Sequence, residues 1–117
     1  MSEARILSDV RIALSKLGTR IFRNNCGQHI TDKGHVVRYG VANPGGSDLI
    51  GWHSILITPE HVGSRLAVFV ACETKDKTIP TREQRNFLEA VAQAGGIAIL
   101  AHSSEEAEKA LRDHLRG

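Results

Sequence analysis

Leu66-Ala67-Val68-Phe69-Val70-Ala71-Cys72-Glu73-Thr74-Lys75 is the stretch that decides the fold: an apolar run closed by an acid–x–Lys triplet. A run of this length, rich in valine, fits a strand covered on both faces. Upstream, Gly45-Gly46-Ser47-Asp48-Leu49-Ile50 brings an aspartate to the head of a second apolar run. If the two runs pair as neighbouring strands, Asp48 and Glu73 point at one spot. Lys75 then lies on the face of Glu73, because side chains alternate along a strand. Two carboxylates beside one ammonium can hold a hard divalent cation next to a phosphodiester.

Working outward, Ile6, Val10, Ala13, Leu14 and Leu17 recur at helical spacing, with Ser2 to cap and Gly18 to stop. They predict a helix over 3–17. Residues 20–24 read as a short strand. The stretch Asn24 to Ser47 is rich in Gly, Asn and His and is interrupted by Val36-Val37-Arg38-Tyr39. It is either a long functional loop or a hairpin. Strands are predicted over 48–52, 53–58 and 66–74, with 59–64 as the turn before the last. Thr81 and Gln84 form a capping-box pattern for a helix whose apolar stripe is Phe87, Leu88, Val91 and Ala92, stopped by Gly95-Gly96. Residues 97–101 read as a short buried strand. Ser103 with Glu106 then caps a last helix bearing Ala107, Ala110, Leu111 and Leu115. The order helix, strands, helix, strand, helix predicts one α/β domain over 1–117, a central mixed sheet flanked by helices.

Composition narrows the function classes. With 41% hydrophobic and 24% charged residues, the composition is that of an ordinary globular protein, and global disorder is not expected. No apolar run approaches the ~20 residues needed to span a bilayer. The start Met1-Ser2-Glu3-Ala4-Arg5 lacks the order of a signal peptide, so a cytoplasmic protein is expected. The formal net charge is only +2. Arg20, Arg23, Lys33, Arg38, Lys75, Lys77, Arg82 and Arg85 nevertheless flank the acidic centre, which suits a phosphate-backbone ligand as readily as a solvated mixed-charge surface. Cys26 and Cys72 are too few for a disulfide framework and read as reduced thiols. Cys26-Gly27-Gln28-His29 lacks the second matched pair of a zinc site. Gly40 to Gly46 has no Gly-Lys-Ser/Thr after it, which disfavours a nucleoside-triphosphate loop, and no serine or cysteine sits in a nucleophile elbow. Arg23, Asn24, Asn25 and Arg38 suit DNA contacts, since Arg and Asn match phosphate oxygens and groove edges.

The order of elements, with Asp and then Glu-x-Lys, resembles the PD-(D/E)xK nuclease superfamily. Within it the chain is similar to the VRR-NUC branch of small phage and repair nucleases. The matching features are the Glu3-bearing first helix, Arg23-Asn24-Asn25-Cys26-Gly27, Gly46-Ser47-Asp48-Leu49-Ile50-Gly51, Glu73-Thr74-Lys75, Gln84, and Gly95-Gly96 before the last strand. Ser47 stands where the family usually has Pro, a residue that shapes the backbone without being a ligand.

The resemblance implies a restriction-endonuclease-like core of order αβββαβα and a metal-dependent DNA endonuclease selective for branched DNA such as a Holliday junction. It implies that Asp48 and Glu73, the Thr74 carbonyl and Glu3 from the first helix bind Mg²⁺ or Mn²⁺. Lys75 would orient water or neutralise charge on the phosphate. Gln84 would extend the site, or would simply satisfy the Thr81 N–H as half of a capping box. Symmetric cutting of a junction calls for a homodimer, and a phage-encoded member would act in the cytoplasm of its bacterial host. A non-cleaving DNA-binding module and a phage assembly protein that retains the nuclease fold are the two other classes.

Overall fold

Ser2 accepts a hydrogen bond from the Arg5 N–H and so opens the first helix, α1 (Glu3–Lys16), in the computed structural model, which describes residues 2–116. Gly18, at φ +96°, takes the left-handed turn that ends it. The chain divides into two compact units, one up to Ser54 and one from Ile55 onward.

In the first unit, β1 (Arg20–Arg23) pairs antiparallel with β4 (Leu49–Trp52), Phe22 opposite Ile50 and Arg23 opposite Leu49. Between them in sequence, β2 (Gly27–Ile30) and β3 (Val36–Tyr39) pair antiparallel. Of the two possibilities for this region, the hairpin is the one realised. Asn24 ties the unit together and is 6% exposed. Its Nδ2 donates to the carbonyls of Val41 and Ser47 at 2.9 and 3.0 Å, and its Oδ1 accepts from the Val41 N–H at 2.8 Å. Its own N–H donates to the Asp48 carbonyl at 2.9 Å.

In the second unit a single 3₁₀ turn, Pro59–His61, precedes β5 (Val70–Thr74). β5 runs parallel to β6 (Ile97–Ala101), from Val70 opposite Ile97 to Thr74 opposite Ala101. Parallel neighbours need a crossover, supplied here by α2 (Arg82–Gln93), which packs on both strands and buries Val91 to 1% exposure. Gly95, at φ +97°, follows the Ala94 cap of α2. The last helix, α3 (Ser104–Leu115), rests Ala107 and Ala110 on Ile97, Ile99 and Ala101 of β6.

Three sequence expectations change. Residues 53–58 form no strand, and the 66–74 strand begins only at Val70; with β2 and β3 added, five strands precede α2 where four were predicted. Among the described residues the strands form three two-stranded sheets, β1 with β4, β2 with β3 and β5 with β6. β5 is not covered on both faces. Its residues alternate, Val70 (51% exposed), Cys72 and Thr74 open, Ala71 and Glu73 half-buried, because α3 lies over β6 and leaves that face of β5 bare. The architecture is thus mixed α/β, three helices with small sheets. Both cysteines are free thiols, and among the described residues no helix is long and apolar enough to cross a membrane.

Asn24→Ala removes the two hydrogen bonds it makes to Val41, whose carbonyl keeps only the Cys26 thiol at 3.6 Å, and the one it makes to the Ser47 carbonyl. It should cost about 2–3 kcal/mol, measured as a lower midpoint of urea unfolding; an unchanged midpoint would show that Asn24 holds nothing in place.

Candidate functional site

The strand period sets the geometry at the end of β5. The Lys75 N–H donates to the Ala101 carbonyl at 3.1 Å and carries the parallel ladder one residue past Thr74. Residues 73 and 75 therefore share a face, as the acid–x–Lys spacing predicts. Lys75 Nζ lies 3.4 Å from Glu73 Oε1, with side chains 18% and 27% exposed, respectively. The carbonyl of Thr74 lies between them in the chain. This is the carboxyl end of two parallel strands, the edge at which open α/β sheets bind ligands.

Glu73 opens on a groove of about 480 Å³ between β5 and α2, whose other walls include Glu83, Gln84, Phe87 and Leu88. Lys75 opens on a second groove of about 450 Å³ with Thr74, Asp76, His102, Ser103 and Ser104. The ion pair thus stands between two clefts, its anion facing one and its cation the other.

Gln84 forms the expected capping box. Its Oε1 accepts from the Thr81 N–H at 2.8 Å, while its own N–H donates to Thr81 Oγ1 at 3.1 Å. That occupies the carbonyl half of the amide and leaves the Nε2 hydrogens to serve the groove that Gln84 lines. Arg85 donates to the Pro80 carbonyl at 2.8 Å and pins the approach to the helix.

At α3 the Ser103 hydroxyl accepts from the Glu106 N–H at 3.1 Å, as the sequence pattern predicts. The Glu106 carboxylate reaches one residue further back than a capping box requires: it accepts the His102 N–H and lies 3.0 Å from His102 Nδ1. The His102 backbone donor, then its ring, hold the Glu106 carboxyl below its ordinary value. His102 itself is exposed. The i, i+4 spacing of His102 and Glu106 was the signal available to connect it with the rim of the Lys75 groove.

In the first unit Asp48 is exposed on a stretch pinned on each side. Asn24 holds the carbonyls of Ser47 and Asp48, and Ser47 Oγ donates to the Leu49 carbonyl at 2.8 Å. A hydroxyl bond thus restrains the backbone just before Asp48. Asn24, grouped by sequence with the DNA-contacting residues, is buried with its amide spent inside the fold. Arg23, Asn25 and Arg38 are exposed. Glu3 is exposed in the first turn of α1, a favourable place for a carboxylate.

Among the described residues, neither unit by itself gathers three His, Cys, Asp or Glu side chains around one point. The donors at the end of β5, a carboxylate next to a backbone carbonyl, are the hard oxygens that Mg²⁺ or Mn²⁺ accepts while keeping several waters, so their chemistry fits such an ion.

The lowered Glu106 carboxyl has a pH consequence. Its ionised form is favoured in the folded chain, so its stabilising effect is complete above the unfolded value, about pH 4.3, and fades as pH falls through the lower folded value. Glu106→Gln should melt at a lower temperature than the wild type at pH 7, with the gap closing below about pH 4; a gap independent of pH would contradict this. Comparison with protein-family models, with curated proteins and with solved structures finds no match.

Proposed function

We propose that the chain is a metal-dependent endonuclease that hydrolyses phosphodiester bonds in DNA, with branched DNA as its substrate. The observation that carries this is the Glu73–Lys75 pair at the carboxyl edge of the parallel strands, a carboxylate and an ammonium 3.4 Å apart beside two clefts. The fold proposed with it is a restriction-endonuclease-like core.

In this mechanism Glu73 and the Thr74 carbonyl would hold Mg²⁺ or Mn²⁺, and Asp48 and Glu3 are the further carboxylates that the resemblance assigns to the ion. When bound, the ion supplies Lewis-acid polarisation of the phosphoryl group and a water of lowered pKa. Lys75 contributes a second, fixed positive charge. With its ammonium on Glu73 it compensates that carboxylate, and a short swing brings it against a phosphate oxygen as negative charge grows there. Gln84 Nε2 donates from the wall of the same groove, either to water or to the phosphate. Arg23 and Asn25 contact the DNA backbone, Arg38 contacts the DNA, and Asn24 sets the Asp48 segment. Two copies related by a two-fold axis would cut a junction on both sides.

With Mn²⁺ and a labelled four-way junction, Asp48→Ala, Glu73→Ala and Lys75→Ala should each slow cleavage on the order of 100-fold or more while keeping the wild-type circular dichroism. Wild-type rates in any one of them take that residue out of the mechanism. A wild-type protein that binds the junction but never cuts it would be a binding module instead. Gln84 is tested against its cap. Thr81→Ala and Gln84→Ala should each cost about 1 kcal/mol of stability, but only Gln84→Ala should also lower the cleavage rate. Equal rates in the two would confine Gln84 to capping.

A further inference from the structure

Apart from Gly27, every residue of β2 and β3 is exposed, including the apolar Ile30 (69% exposed), Val36 and Val37. A two-stranded ribbon with both faces in water is marginally stable on its own. This one is braced at each end. At the tip, the Thr31 N–H donates to the His35 carbonyl at 2.8 Å, the Gly34 N–H to the Thr31 carbonyl at 2.9 Å, and the His35 N–H to Thr31 Oγ1 at 3.1 Å. At the base, Asn43 donates to the carbonyls of Gly27 and Tyr39 at 2.7 and 2.8 Å. The Tyr39 ring lies across Gly27 so closely that any Cβ there would overlap its phenol group. The hairpin is a stiff blade with two wet sides.

Cross-strand partners share a side. Gln28 stands beside Arg38, and Ile30 beside Val36, on one side; His29 stands beside Val37 on the other. Lys33 is at the tip. From Arg23 to Tyr39, Arg23, Lys33 and Arg38 together with His29 and His35 face a single acidic residue, Asp32.

We propose that this ribbon enters a groove of duplex DNA, with Gln28 and Arg38 toward the base edges and Lys33 on a phosphate. It rests on the DNA reading above and adds to it the element that docks. Four residues per strand make a blade about 13 Å long, its strands about 4.8 Å apart. The major groove of B-DNA, about 12 Å wide and about 8.5 Å deep, admits a two-stranded ribbon. The arginine fork matches guanine O6 and N7, the glutamine amide matches adenine N6 and N7, and an apolar pair suits a thymine methyl. The excess of basic groups complements a polyanion.

The test is fluorescence anisotropy of the full chain on a labelled duplex and a labelled four-way junction, with Ca²⁺ replacing Mg²⁺, over a salt series. Arg38→Ala and Gln28→Ala should each weaken binding roughly tenfold or more. Arg38→Lys should regain affinity without regaining preference between duplex sequences. Lys33→Ala should reduce the slope of log affinity against log salt by about one. Lys33 is at the exposed tip, so its variant decides the matter even if Arg38→Ala fails to fold. Unchanged binding in all the variants, with a wild type that binds and cuts, overturns the ribbon and leaves the nuclease reading standing. A wild type that binds neither probe overturns both. A variant that changes oligomeric state but not DNA binding makes the hairpin a protein interface and overturns the ribbon alone.

Discussion

Parallel pairing of β5 with β6 is the constraint from which the second unit follows. Two parallel strands cannot be joined by a tight turn, so α2 must carry the chain back across the sheet, and both strands then end at the same edge. One edge thereby receives Glu73 and Thr74 from β5, Lys75 just after it, and the segment His102–Ser104 from beyond β6. The ladder bond from the Lys75 N–H to the Ala101 carbonyl fixes the phase of the last residues. Without it nothing in the backbone would keep the ammonium on the carboxylate's side.

The first unit depends on a different device. Asn24, in the link from β1 to the hairpin, uses its amide and its own N–H to hold three later residues, Val41, Ser47 and Asp48. A buried amide whose partners are all supplied by the fold specifies one arrangement of the loop, because every alternative strands a polar group away from water. It also explains why a segment so rich in glycine can present Asp48 on a defined backbone.

What was legible in the sequence was local. The Ser2, Thr81 and Ser103 caps, the Gly18 and Gly95 stops and the shared face of Glu73 and Lys75 each follow from interactions within a few residues, and each is present. Less legible was anything that depends on a distant partner. The apolar run from Leu66 satisfies the pattern of a doubly covered strand, yet only its second half pairs, and one face of it stays open because α3 chose β6. The apolar residues of 53–58 looked like a strand for the same reason: periodicity reports what a segment can bury, not whether a neighbour arrives. Asn24 was misgrouped because Asn before a glycine-rich stretch reads equally well as a surface contact or as an internal clamp, and only its burial separates the two.

The packing of Tyr39 over Gly27 has an evolutionary corollary. No side chain can be gained at position 27 while the ring stays at 39, and without the ring the ribbon's base would be left bare. The two sites are therefore bound to drift together: among descendants of this chain, substitution at one should be accompanied by substitution at the other, a correlated pair that would mark the hairpin as inherited whole.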